Sequence, residues 1–122
     1  MEIENTIRRG DVFFIFLDPS FGREIGGYKM RPVVVMSIND IHQKTRIVAV
    51  VPGTSTQSSH LNVVRVNPDG SNRLESETYF QCHQIRAVVQ GRMTARPIGR
   101  LSEADFGKVE MAVRHSLGLI VR

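Results

Sequence analysis

The sequence predicts a mainly β domain closed by a C-terminal helix, and three observations carry that expectation. Short apolar runs rich in Val and Ile recur between turn residues over most of the chain. Gly, Pro, Asn and Asp gather between those runs, notably in Asp18 to Met30 and in Pro68 to Asn72. After Ser102 the apolar period lengthens to three- and four-residue steps, as one face of a helix requires. A small, strongly bent sheet or barrel with one helix against it satisfies all three.

The elements follow in order. Asp11 to Leu17 and Pro32 to Ile38 are nearly continuous apolar runs, the pattern of strands buried on both faces. The segment between them holds Pro19, Gly22, Gly26 and Gly27 and is too long for a tight hairpin, so it reads as a flexible loop. Ile47 to Val51 is a third strand. Leu61 to Val66 alternates and reads as a half-exposed fourth, followed by a turn at Pro68 to Asn72. Thr78 to Val89 supplies one or two more. Ser102 is a good N-cap with Asp105 three residues on, and Leu101 and Phe106 suit a hydrophobic staple. Phe106, Val109, Val113, Leu117 and Ile120 then form one apolar stripe. Gly107 within it costs about 1 kcal/mol against alanine, so packing must hold this helix.

At 122 residues and 41% hydrophobic content, the chain can bury one compact core. Runs such as Val12 to Leu17 fall far short of the ~20 residues of a membrane-spanning helix. MEIENTIRRG has no apolar stretch after its charges and does not read as a secretory signal. The single cysteine, Cys82, can form no internal disulfide, and a reducing cytoplasm is the simplest location. Net charge is +4, and 13 of the 16 basic residues are arginine. Arginine's planar fork suits phosphate oxygens and favours a nucleic-acid partner, while a GC-rich genome enriches arginine with no function attached. No acidic residue lies between Glu77 and Glu103, where Arg86, Arg92, Arg96 and Arg100 all fall. That stretch reads equally as a backbone-tracking surface or as a solvated face.

The sequence carries no HExxH, no CxxC, no phosphate-binding glycine loop and no closely spaced carboxylate pair, and its four histidines are scattered. Mg²⁺-dependent nuclease chemistry therefore has no obvious seat. RNA offers another route, because the ribose 2′-OH is a nucleophile already held beside its phosphate.

Five strings stand out: RRGDVFF (Arg8 to Phe14), MRPVVVMS (Met30 to Ser37), IVAVVPGTS (Ile47 to Ser55), QIRAV (Gln84 to Val88) and IGRLSEADF (Ile98 to Phe106). In that order and at those separations they resemble the MazF/PemK/Kid family of toxin endoribonucleases, from about Arg8 to Ile120. The resemblance implies a small SH3-like β-barrel with a C-terminal helix, the CcdB/PemK-type plasmid toxin fold, usually as a homodimer. It also implies a metal-independent, sequence-selective endoribonuclease acting on single-stranded RNA, with no cofactor. The products would be 2′,3′-cyclic phosphate and 5′-OH ends. The chain would be the toxin of a type II pair, its partner a small acidic antitoxin.

Residue by residue, Arg31 matches the catalytic arginine of the family's RPxxV segment. From position alone it reads either as an arginine flanking a strand, paired with Asp18 or Glu24, or as a donor that stabilises phosphorane charge. Pro32 biases it towards an extended backbone. Thr54 matches the threonine of the PxTS segment, and Ser55 adds a second hydroxyl; the bland alternative is an ordinary Ser/Thr-rich turn. Gly53 lets the backbone approach closely. GREIGG (Gly22 to Gly27) matches a GSExGG-like loop, with Glu24 in the acidic position and Arg23 where serine is commoner. Tyr28 and Lys29 appear as extra length, which leaves the RNA sequence preference open. Gln84 and Arg86 match the QIR segment and suit RNA contact or barrel-edge hydrogen bonding. His83 stands where relatives usually carry an acid, as a proton carrier or as a structural substitution. Tyr28, Tyr79 and the exposed member of Phe13/Phe14 are the stacking candidates. Cys82 is expected to face the core.

Two other readings remain at this level. A CcdB-like gyrase-binding poison would use the same barrel, but this chain ends Leu119-Ile120-Val121-Arg122 without the exposed aromatic such an action uses. A non-catalytic RNA-binding barrel is the other.

Overall fold

In a computed structural model of the chain, residues 7–17, 25, 29–93 and 96–119 are described. Seven strands build one antiparallel system: β1 (Asp11–Phe16), β2 (Met30–Val35), β3 (Ile47–Thr54), β4 (Val63–Val66), β5 (Thr78–Gln81), β6 (Arg86–Val89) and β7 (Gly99–Arg100). The order is β4-β5-β3-β2-β1-β7, and β6 also pairs with β3. β3 is the branch point. Its first half pairs with β6, from Ile47↔Val89 to Val50↔Arg86, and its end pairs with β5 at Gly53↔Phe80 and Thr54↔Tyr79. One strand serving two partners along the same edge curls the sheet into a half-barrel.

The continuous apolar runs are explained by burial on both faces. Val12, Val34 and Val51 face a core shared with Val66, Phe80, Leu101, Val109 and Val113. Their neighbours Phe13, Ile15, Val33, Val35, Val48 and Val50 face a second core with Val88 and Met93. Successive strand residues point to opposite faces, so adjacent apolar positions must feed different cores.

Helix α2 (Glu103–Ser116) covers the first core. Ser102 Oγ accepts the Asp105 backbone N–H at 3.1 Å, as the cap chemistry predicts. Phe106, Val109, Ala112 and Val113 supply its packed face. The stripe ends there: Leu117 lies just beyond the helix and is 53% exposed, and Ile120 falls outside the described residues. Gly118, at φ 72, turns the chain out of the helix.

A second helix, α1 (Asn39–Thr45), was not expected from the sequence. Its one buried residue is His42, whose Nε2 lies 2.8 Å from the Ile7 carbonyl oxygen. No apolar stripe exists to announce it. The third strand runs past Val51 through Pro52 and Gly53 to Thr54, and Thr78 to Val89 splits into two strands around a 3-10 turn at Cys82–Gln84. Among the described residues, no helix is long and apolar enough to cross a membrane.

Candidate functional site

Arg31 and Thr54 are brought together by register. β2 and β3 pair at Val35↔Val50, Val34↔Val51 and Val33↔Pro52. The same antiparallel register, continued two residues, sets Arg31 opposite Thr54. Pro32 and Pro52 stand at this end of the ladder and carry no N–H to prolong it. The two residues also share a face: Arg31 alternates with Val33 and Val35, and Thr54 with Val48 and Val50, all four apolar residues in the second core. Arg31 is half-buried, with its Nε shielded from solvent.

Thr54 Oγ1 accepts the Thr56 backbone N–H at 3.2 Å. With one lone pair so occupied, the hydroxyl proton is available to donate outward. Ser55 follows, exposed. Arg31, Thr54 and Ser55 border a cleft of about 140 Å³ with Phe14, Lys29 and Glu75. Phe14 is the more exposed of its pair and reaches this cleft, while Phe13 is buried.

Gly53 permits a close approach between strands. A Cβ there would lie 2.6 Å from Thr78 Cγ2 and 3.1 Å from the Phe80 ring. The glycine lets β3 close on β5 and so fixes where Thr54 projects.

Gln84 and Arg86 sit together at the entry to β6 rather than in the cleft. Arg86 Nη2 donates to Gln84 Oε1 at 3.2 Å, and the Ile25 backbone N–H donates to the same oxygen at 2.8 Å. Ile25 packs on the second core. Gln84 therefore holds the backbone at Ile25. Arg86, opposite Val50, lies on the face that carries Arg31 and Thr54, four residues back along β3 from Thr54. His83 is exposed in the 3-10 turn beside Gln84 and does not border the cleft. Arg23, Glu24 and Tyr28 lie outside the described residues, as do the Asp18 and Glu24 partners considered for Arg31.

Two arginines of the acid-free stretch have intramolecular partners. Arg100 donates to Asp11 at 2.7 Å on the far edge strand, and Arg92 reaches the Phe16 carbonyl at 3.3 Å. Cys82 is buried as expected, though in the turn rather than on a strand, and desolvation pushes its thiol up to about 12. Tyr79 is only 5% exposed and donates its hydroxyl to Glu77 at 2.7 Å, which raises its phenol above the ordinary value.

Sequence reasoning missed Lys29 and Glu75 as cleft residues. Glu75 arrives on a loop that reads as a plain turn but is firmly built. Asn72, fully buried, accepts the Asp69 and Leu74 backbone N–H groups at 3.1 and 2.9 Å and donates to the Asn67 carbonyl at 2.9 Å. A Cβ at Gly99 would lie 2.3 Å from the Asn72 carbonyl oxygen, so β7 packs directly on this loop. The Pro-Asp-Gly-Ser-Asn composition was the available signal. Among the described residues, no group of three or more His, Cys, Asp or Glu side chains is clustered to hold a metal ion.

Residues 8–117 match the family model of PemK-like, MazF-like toxins of type II toxin–antitoxin systems. The chain is 32% identical to Endoribonuclease MazF9 of Mycobacterium tuberculosis, covering 93% of this chain and 98% of that one. It is 33% identical to Endoribonuclease EndoA of Bacillus subtilis, covering 93% and 97%. Among solved structures, a mycobacterial endoribonuclease in complex with its cognate antitoxin is similar in fold, with a TM-score of 0.75 and 22% identity over 94% of this chain and 98% of that one.

Proposed function

The chain belongs to the PemK-like, MazF-like toxins of type II toxin–antitoxin systems, and from that premise we propose how it works as an endoribonuclease. It cuts single-stranded RNA in a sequence-selective way, without metal. The observation that carries this reading is the opposition of Arg31 and Thr54 on one face at the open end of β2 and β3.

The chemistry asks little else of the protein. The 2′-OH attacks the adjacent phosphorus, the P–O5′ bond breaks, and a 2′,3′-cyclic phosphate and a 5′-OH end result. One proton leaves the 2′-OH and one arrives at O5′. Charge grows on the non-bridging oxygens as the phosphorane forms. Arg31 meets that charge with its guanidinium, so its role is electrostatic. Thr54 donates its hydroxyl to a phosphate oxygen, and Ser55 offers a second donor. Gln84 and Arg86 support the site by holding the loop at Ile25.

A small acidic antitoxin is the partner that suits a chain of net charge +4, as the complex of the mycobacterial relative suggests by likeness. The active form is a homodimer. The test is to incubate purified protein with RNA in EDTA and map the product ends. Cyclic phosphate and 5′-OH ends support the scheme; 5′-phosphate ends overturn it.

A further inference from the structure

The β2–β3 register, extended two residues past Val33↔Pro52, sets Arg31 opposite Thr54, and the row continues beyond β3. Thr54 pairs with Tyr79 on β5, and Tyr79 pairs with Arg65 on β4. Directly opposed residues of an antiparallel ladder share a face. One row therefore crosses four strands in the order Arg31, Thr54, Tyr79, Arg65. At one strand spacing per step it places Arg65 about 14 Å from Arg31, the span of a short stretch of extended nucleic acid. A groove of about 490 Å³ opens at the far end of this row, between β4–β5 and the segment Gln57 to Leu61. That volume lies within the usual range for small-ligand sites.

The groove has the chemistry of a nucleotide site. Leu61 is 81% exposed and presents an aliphatic surface for a base. Gln57, Ser59 and His60 bring amide, hydroxyl and imidazole groups of the kind that read unpaired base edges. Arg65 lies 3.9 Å from Glu77, with both side chains largely open to solvent. So long and exposed a pair contributes little, and the guanidinium can exchange it for a phosphate at small cost. Glu77 keeps its hydrogen bond from the Tyr79 hydroxyl when that happens. Tyr79 is the covered floor of the groove and not a stacking platform.

We propose that the groove lined by Gln57 to Leu61 and Arg65 is the subsite for a nucleotide flanking the scissile phosphate, with its base against Leu61 and its phosphate at Arg65. This rests on the reading of Arg31 and Thr54 as the cleavage site. It assigns part of the sequence selectivity to the β3–β4 connection.

Arg65→Gln and Leu61→Ser change exposed side chains and are expected to fold, which circular dichroism checks. Binding is measured with an RNA strand whose 2′-OH groups are replaced by hydrogen, so that no cleavage intervenes, across a series of salt concentrations. Arg65→Gln is expected to weaken binding severalfold and to flatten the slope of log K against log salt by about 0.7, the value for one lost phosphate contact on a single strand. Arg65→Lys is expected to restore the slope. Leu61→Ser is expected to alter the base preference at one position beside the cut, read from cleavage of a random-sequence RNA pool. Folded variants with wild-type affinity, salt slope and cleavage profile would overturn the proposal. Wild-type protein that leaves RNA intact would instead strike the endoribonuclease scheme, which the binding measurement does not depend on.

Discussion

Arg31 of β2 and Thr54 of β3 border one cleft, where the β2–β3 register, extended two residues past Val33 and Pro52, sets them opposite each other. The strand ends thus deliver a cation and a hydroxyl to one face while the paired portions bury their valines in two cores. Packing sets the geometry, and the site occupies the part of each strand that packing leaves over.

Arg31→Ala is therefore expected to retain the fold, because the guanidinium lies at a strand entrance rather than in either core. Losing one donor to the developing charge should reduce single-turnover cleavage by roughly 10²–10³. Thermal melting and rate measurements on the same preparation check both halves. A folded Arg31→Ala protein that cuts at the wild-type rate contradicts the electrostatic role.

Gly53→Ala tests how Thr54 is held. The added methyl meets Thr78 Cγ2 at 2.6 Å, so β3 and β5 must separate. Overpacking of this kind costs about 1–3 kcal/mol. A lower melting temperature should accompany slower cleavage, because Thr54 moves with the strand. An unchanged melting temperature would show that the approach of β3 to β5 carries no strain.

Cys82 gives a pH dependence. Burial raises its thiol from 9.0 to about 12 in the folded state, so above pH 9 the unfolded chain releases a proton that the folded chain keeps. The folded state then binds more protons, and stability falls as pH rises from 9 towards 12. Urea titrations should give a lower unfolding free energy at pH 10.5 than at pH 8, with the difference reduced in Cys82→Ala. At pH 8 the native thiol should resist alkylation that the unfolded chain undergoes readily.

An acidic antitoxin segment should bind with an affinity that falls with salt without vanishing. Its charges speed the encounter, and its apolar anchors hold it afterwards. Titration calorimetry at low and high salt checks this. Failure to recover an acidic partner on co-purification from the native host would contradict the antitoxin assignment.

Much of this was legible in the sequence because the signals were local. The runs around Val34 and Val50 announced buried strands and Ser102 announced a helix start, whereas Arg31 and Thr54 read from position alone as a strand-flanking arginine and a turn threonine and were singled out by the family resemblance. What stayed hidden depended on tertiary contact. Helix α1 buries only His42, so it has no apolar period to read. Gly53 reads in the sequence as a place of close approach, and only the fold shows that Thr78 and Phe80 approach it. Glu75 borders the cleft because the Asn72 loop docks on Gly99, a pairing that no spacing reveals. The row from Arg31 to Arg65 needs three strand registers at once, and registers are set by the whole sheet.

In the proposed scheme the nucleophile belongs to the RNA, and the protein supplies charge and alignment. The most direct measurement uses a short RNA carrying the mapped cleavage site, with only the scissile 2′-OH replaced by hydrogen, assayed in EDTA beside the unmodified strand. Cleavage of the unmodified RNA and none of the 2′-deoxy strand is expected, with similar binding of both. Cleavage of the 2′-deoxy strand would show that water attacks the phosphorus, and would contradict the assignment of Arg31 and Thr54 to a 2′-OH transesterification.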